Sequence, residues 1–132
     1  MNLDFLWRLN AHINTLGLFA VSHVGNLDIT DSISVLAVPG GISQTYYDGT
    51  RDQDYNVQIS AKSMQQQECV GALNAIMDDL IMLSALNSNN GSFEFNRIVI
   101  ENPPSFVTQL ETGEFVYELS CTAKITIFRG AM

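Results

Sequence analysis

From Phe115 to Ile127 the chain alternates without error. Phe115, Tyr117, Leu119, Cys121, Ala123, Ile125 and Ile127 fall on one side, and Glu118, Ser120, Thr122, Lys124 and Thr126 on the other. A period of two is the signature of a strand with one buried face. At about 3.3 Å per residue such a strand runs roughly 43 Å, well beyond the usual five or six residues. It is therefore expected to reach past its own sheet or to bend across it. A second clean alternation, Tyr55, Val57, Ile59 and Ala61 against Asn56, Gln58 and Ser60, predicts another half-buried strand over 55–61. Two such strands demand an apolar layer to cover one face and tolerate water or a partner on the other.

Two segments supply that layer. Leu3, Leu6, Leu9, Ile13 and Leu16 recur at helical spacing over 2–16, with Trp7 beside them, Asn2 as the expected N-cap and Gly17 just past the end. Between Met64 and Leu86, Val70, Leu73, Ile76, Met77, Leu80, Ile81 and Leu83 form a longer stripe, with Glu68 near the positive end of the helix dipole. Asn87-Ser88-Asn89-Asn90-Gly91 terminates it. Leu18 to Thr30 reads as an irregular connection. The β-branched run 32–38 is stopped by Pro39-Gly40-Gly41 and reads as a strand. Residues 93–100 form another, whose alternation changes face near Arg97, as at a bulge or an edge. Pro103-Pro104 is expected to end it, because proline cannot donate to a central ladder, and Gly113 closes the following loop. The order is α-β-β-α-β-β: an α+β fold, one mainly antiparallel sheet with two helices packed on one face, with residues 1–132 expected as one domain.

The 132 residues are enough to bury about two thirds of the unfolded surface around one core. The hydrophobic fraction of 46% is that of a folded chain, whereas the charged fraction of 15% is low; the usual share is about 25%. Asn, Gln, Ser and Thr supply much of the polar surface, and such a surface desolvates at modest cost against a partner. Net charge is −8, and the six basic residues, Arg8, Arg51, Lys62, Arg97, Lys124 and Arg129, are scattered. Nucleic-acid affinity comes largely from phosphate neutralisation by clustered Lys and Arg, so no tight nucleic-acid binding is expected. No window reaches the roughly 18 apolar residues of a membrane span, and no basic leader is expected; no membrane partner is expected, and the protein is expected to be made and kept in a cytoplasm.

Candidate chemistry is thin. Asp48-Gly49-Thr50-Arg51-Asp52-Gln53-Asp54 places acids at alternate positions, but a calcium loop beginning at Asp48 needs Gly sixth and Glu twelfth, where Gln53 and Ile59 stand. Asp78 and Asp79 are helical neighbours about 100° apart and cannot share a proton; they read as a solvated face. His12 and His23 accompany no nucleophile or metal motif. Cys69 and Cys121 read as two small buried residues, with a disulfide left open. No catalytic residue, cofactor or metal is expected. Between the strands at 32–38 and 55–61 lies a stretch too long for a tight hairpin turn of about 2–5 residues, containing Tyr46-Tyr47. Those two rings are either interface groups or caps folded onto their own core.

Tyr46-Tyr47-Asp48-Gly49-Thr50-Arg51, followed by the alternating strand Tyr55–Ala61 with Lys62 and the helix through Leu73, Ile76 and Leu80, resembles the central block of the small minor capsid and tail-terminator (tail-completion) proteins of tailed bacteriophages. The expected element order matches that family's layout over nearly the whole chain. The resemblance implies a structural virion protein forming a ring with itself, usually a hexamer, at the head–tail junction. There it would stop tail-tube growth and join tail to head, with tail-tube protein and a head-completion or connector protein as partners. The Tyr46, Tyr47, Asp48 and Arg51 loop is the expected partner-binding segment. A related head-completion or neck role stays open. A small-ligand-binding α+β domain would need a pocket of convergent polar groups.

Overall fold

The computed structural model describes residues 2–27 and 31–130. Helix α1 spans Phe5–Ile13 and tightens into a 3-10 turn over Asn14–Leu16, ending at Gly17 in the left-handed region with φ +69°. Strands β1 (Ser22–Val24), β2 (Ser32–Val38), β3 (Ser43–Thr45) and β4 (Arg51–Ser63) precede helix α2 (Gln66–Met82). Strands β5 (Phe93–Gln109) and β6 (Phe115–Ile127) close the chain. The strands form one sheet in the order β1-β2-β4-β6-β5, with β3 also on β4. Only β1 and β2 run parallel. The α+β class and the helix-covered sheet are as the periodicities predict.

Both helices lie against the face carrying the apolar register. Phe5, Leu9 and Ile13 of α1 and Leu73, Ile76 and Leu80 of α2 are fully buried over Ile33, Val35, Val57, Ile59, Leu119 and Ile125. The Phe5 ring makes edge contacts with Tyr55 at 5.0 Å and Phe93 at 5.3 Å, which fixes α1 over the middle of the sheet.

Five local readings change. The N-cap of the first helix is Asp4, not Asn2, and Asp4 makes no side-chain cap. Its carboxylate instead accepts hydrogen bonds from Ser88 Oγ (2.7 Å), Ser92 Oγ (2.9 Å) and the Asn89 amide (2.8 Å). The connection after α1 contains β1, a short parallel edge strand, while its last residues, Asp28–Thr30, lie outside the described residues. The second helix ends at Met82, and Leu86 is buried from an extended segment beyond it. The fourth change concerns the prolines: β5 runs through Pro103-Pro104 to Gln109. It is the sheet's edge, where proline is tolerated, and a register shift between Asn102 and Ser105, one of four along the strand, spans the two prolines. Finally, β6 does not overrun its sheet: all thirteen residues pair with β4, and β5 flanks it on the other side.

Candidate functional site

The expected loop between β2 and β4 is largely a bulged hairpin. Val38 pairs with Asn56 and Ser43 with Gln53, so residues 39–42 oppose only Asp54 and Tyr55. Gly40 and Gly41 absorb the excess at φ +109° and +93°. A Cβ on Gly41 would sit 2.1 Å from the Asp54 carbonyl oxygen, so only glycine lets the chain turn back onto β4. The Asp54 amide then donates to the Ile42 carbonyl at 2.8 Å.

The tip, residues 46–50, is locked by its own backbone. The Tyr46 amide donates to Thr50 O at 2.8 Å and the Gly49 amide to Tyr46 O at 3.0 Å. The Asp48 carboxylate accepts from the Thr50 amide (3.0 Å) and the Thr50 hydroxyl (2.7 Å), and these bonds hold its pKa below the usual carboxylate value. The acids of this loop thus serve a turn. Tyr46 donates its hydroxyl to Asp52 Oδ2 at 2.8 Å, a bond that also raises the phenol's pKa. Tyr47 stands in solvent: its relative exposure is 111%. Neither ring caps the core.

Arg51 departs from this cluster. It opens β4 opposite Ile127, a core residue, and lines a groove on the helix-covered face with Leu3, Trp7, Gly40 and Tyr55. Its Nε is buried and makes no hydrogen bond among the described residues. Tyr46, Tyr47 and Asp48 therefore stand together at the tip, while Arg51 faces elsewhere.

The sheet's other face is a ladder of paired polar groups joining β4 to β6. Thr126 Oγ1 donates to Asp52 (2.8 Å), Lys124 Nζ to Asp54 (2.8 Å) and Thr122 Oγ1 to Asn56 (2.9 Å). Gln58 donates to Glu118, and Lys62 lies 3.5 Å from Glu114. Ser34, Ser60, Lys62 and Thr122 on this face are buried. Sequence reading found a face suited to water or a partner; it did not find that the groups satisfy one another across strands. The register of two alternating strands held the signal, because Asp54 against Lys124 and Asp52 against Thr126 are the complementary pairs at one consistent offset.

The remaining candidates resolve as structure. His12 Nε2 meets Asp79 Oδ2 at 2.5 Å, tying α1 to α2, so Asp79 is more than a solvated face residue. Cys69 and Cys121 are free and buried. Burial pushes their thiols up to about 11 and about 12, which suppresses the reactive thiolate. Among the described residues no three His, Cys, Asp or Glu side chains gather as a metal site, and no helix is long and apolar enough to cross a membrane.

A family model described as bacteriophage tail terminator protein matches residues 12–127. The chain belongs to that family. Its members are structural proteins of the phage virion, and the role of this chain is accordingly structural and tail-related. The matched region contains the hairpin tip, both faces of β4 and β6, and all of α2. The fold is similar to that of a chain in the solved structure titled "Virion of native gene transfer agent (GTA) particle", with a TM-score of 0.54 and 12% identity over 92% of this chain and 91% of that one. No curated protein matches in sequence.

Proposed function

We propose that this tail terminator assembles with copies of itself into a closed ring at the head–tail junction, the family's usual hexamer. The ring ends tail-tube growth and joins tail to head. Tyr46, Tyr47 and Asp48 form its contact with the tail-tube or connector protein. The observation carrying this reading is Tyr47, an aromatic ring fully exposed at the end of a hairpin whose backbone bonds are already satisfied. A rigid exposed tyrosine loses little entropy on binding and buries a large area. The self-paired polar face adds support, since groups already bonded to one another cost less to desolvate against a neighbour. The likeness to a chain from a virion particle agrees with a place in an assembled particle.

The test is tail-tube assembly with purified tube protein, followed by electron microscopy of tube ends and native mass spectrometry of the added chain. Discrete caps and a closed oligomer are expected. Binding to the portal or connector with tubes left uncapped would establish the neck role instead, and a strict monomer that caps nothing would sink both.

A further inference from the structure

We propose that copies of this chain join head to tail, the arm at residues 101–112 of one copy seating in the Leu3–Trp7–Arg51 groove of the next. This rests on the ring reading above and adds which two surfaces meet.

The arm is the distal half of β5 with its turn. Every residue from Glu101 to Thr112 except Pro104 is exposed, although the strand pairs with β6 up to Gln109. Phe106, Val107 and Leu110 are 54%, 46% and 37% exposed, a run of apolar surface out of keeping with a solvated edge. Strand addition does not explain it. Pro103 and Pro104 lack N–H donors, and register shifts between Ile100 and Asn102 and between Phe106 and Thr108 break the edge. What the arm offers is side chains, and at its turn Glu111 is exposed and makes no hydrogen bond or ion pair among the described residues.

The groove has the complementary character. Trp7 is 60% exposed on one wall, Leu3 and Tyr55 add apolar surface, and Arg51 lies within it. A buried guanidinium N–H without an acceptor is costly, and no described carboxylate forms an ion pair with Arg51. A carboxylate arriving on the groove side pairs with the guanidinium charge while the apolar side chains flanking it cover Trp7 and Leu3, and the Leu110–Glu111 turn has that composition.

One copy cannot satisfy itself. Arg51 stands opposite Ile127 at one end of the sheet, and Ser63 opposite Phe115 at the other, beside the arm's turn. The thirteen residues of β4 separate them by roughly 40 Å. Two different surfaces at opposite ends make a heterologous contact, the kind that closes into a ring when the rotation per copy permits. Two chains of net charge −8 repel overall, so a local opposite-charge pair is also what fixes their register.

The test is native mass spectrometry of the full chain over a concentration series, comparing wild type with Arg51→Glu, Glu111→Arg, Trp7→Ala and an equimolar mixture of the two charge variants. Wild type is expected to oligomerise, and each single variant to need about tenfold or more protein to do so. In the mixture every contact pairs either the native or the exchanged charges, so oligomers should return. Wild-type-like assembly of all three single variants, or a mixture that stays as weak as its components, overturns the inference while leaving the ring reading in place. A wild-type chain that stays monomeric throughout also overturns the inference, and the ring reading then stands or falls on the tube-capping assay. Because Trp7 is exposed, Trp7→Ala guards against an Arg51 variant that merely misfolds, and recovery in the mixture does the same.

Discussion

Gly41 shows how much of this surface depends on one missing methyl group. Its φ of +93° and the 2.1 Å approach of a Cβ to the Asp54 carbonyl leave no room for alanine. Gly41→Ala is expected to cost on the order of 1–3 kcal/mol of backbone strain and to loosen the β3–β4 hairpin first. Thermal unfolding reads the cost; faster amide exchange at Asp54, with core amides unchanged, locates it. In the core, Leu73→Ala and Leu119→Ala should each lose roughly 2–5 kcal/mol, since both side chains are fully buried between α2 and the sheet. Chemical denaturation that gave wild-type midpoints for both would refute that packing. Asp4 has a different dependence. Burial acts to raise its pKa, but hydrogen bonds from Ser88, Asn89, Ser92 and Asn90 together lower it below 3.8. A carboxyl whose folded pKa is depressed stabilises the fold above its unfolded pKa, and that contribution fades as pH falls through the folded value. Asp4→Asn should therefore lower stability at neutral pH and flatten its decline below about pH 4; parallel wild-type and variant curves across that range would argue against the clasp between the start of α1 and the α2–β5 loop.

At the scale of elements, the sequence declared what repeats and concealed what depends on neighbours. The alternations of β4 and β6 and the stripes of α1 and α2 were legible because burial on one face imposes a period. Pro103-Pro104 misled because the rule against proline concerns central strands, and the edge position of β5 is a property of the whole sheet. β1 and β3 went unread because three residues are too few to establish a period. The candidate site was legible in part. Tyr46, Tyr47 and Asp48 belong to one locked tip, but Arg51 left the group: a position one residue into a strand takes its facing from the sheet register, not from its neighbours in the loop. The tip's separateness has a consequence. Tyr46→Ala combined with Tyr47→Ala removes the Tyr46–Asp52 bond and an exposed ring, neither part of the core. Circular dichroism and the melting temperature should stay near wild type, while capping of tail tubes falls. Loss of the folded monomer would show instead that these rings support the fold.

For the molecule as a whole, the ring proposed above gives the charge distribution a use, since DNA would have to pass through it. The chain carries 14 acidic and 6 basic residues. Of the basic ones, Lys124 pairs with Asp54, Lys62 with Glu114, and Arg51 lies in a groove wall with its Nε buried. What remains toward solvent is predominantly negative. Copies arranged around a bore would then present DNA with like charge, and like charge in a confined passage repels phosphate without holding it. Duplex DNA should show no change in fluorescence anisotropy on titration with the protein at about 50 mM salt, where phosphate contacts are strongest. Assembled oligomer should behave as the free chain does. Saturable binding that weakens steeply with added salt would mean that the scattered cations gather on assembly, and the acidic surface would then need another explanation. If the proposed ring forms, replacing exposed acids with lysine should create that salt-sensitive binding, so that a passage expected to release DNA would retain it.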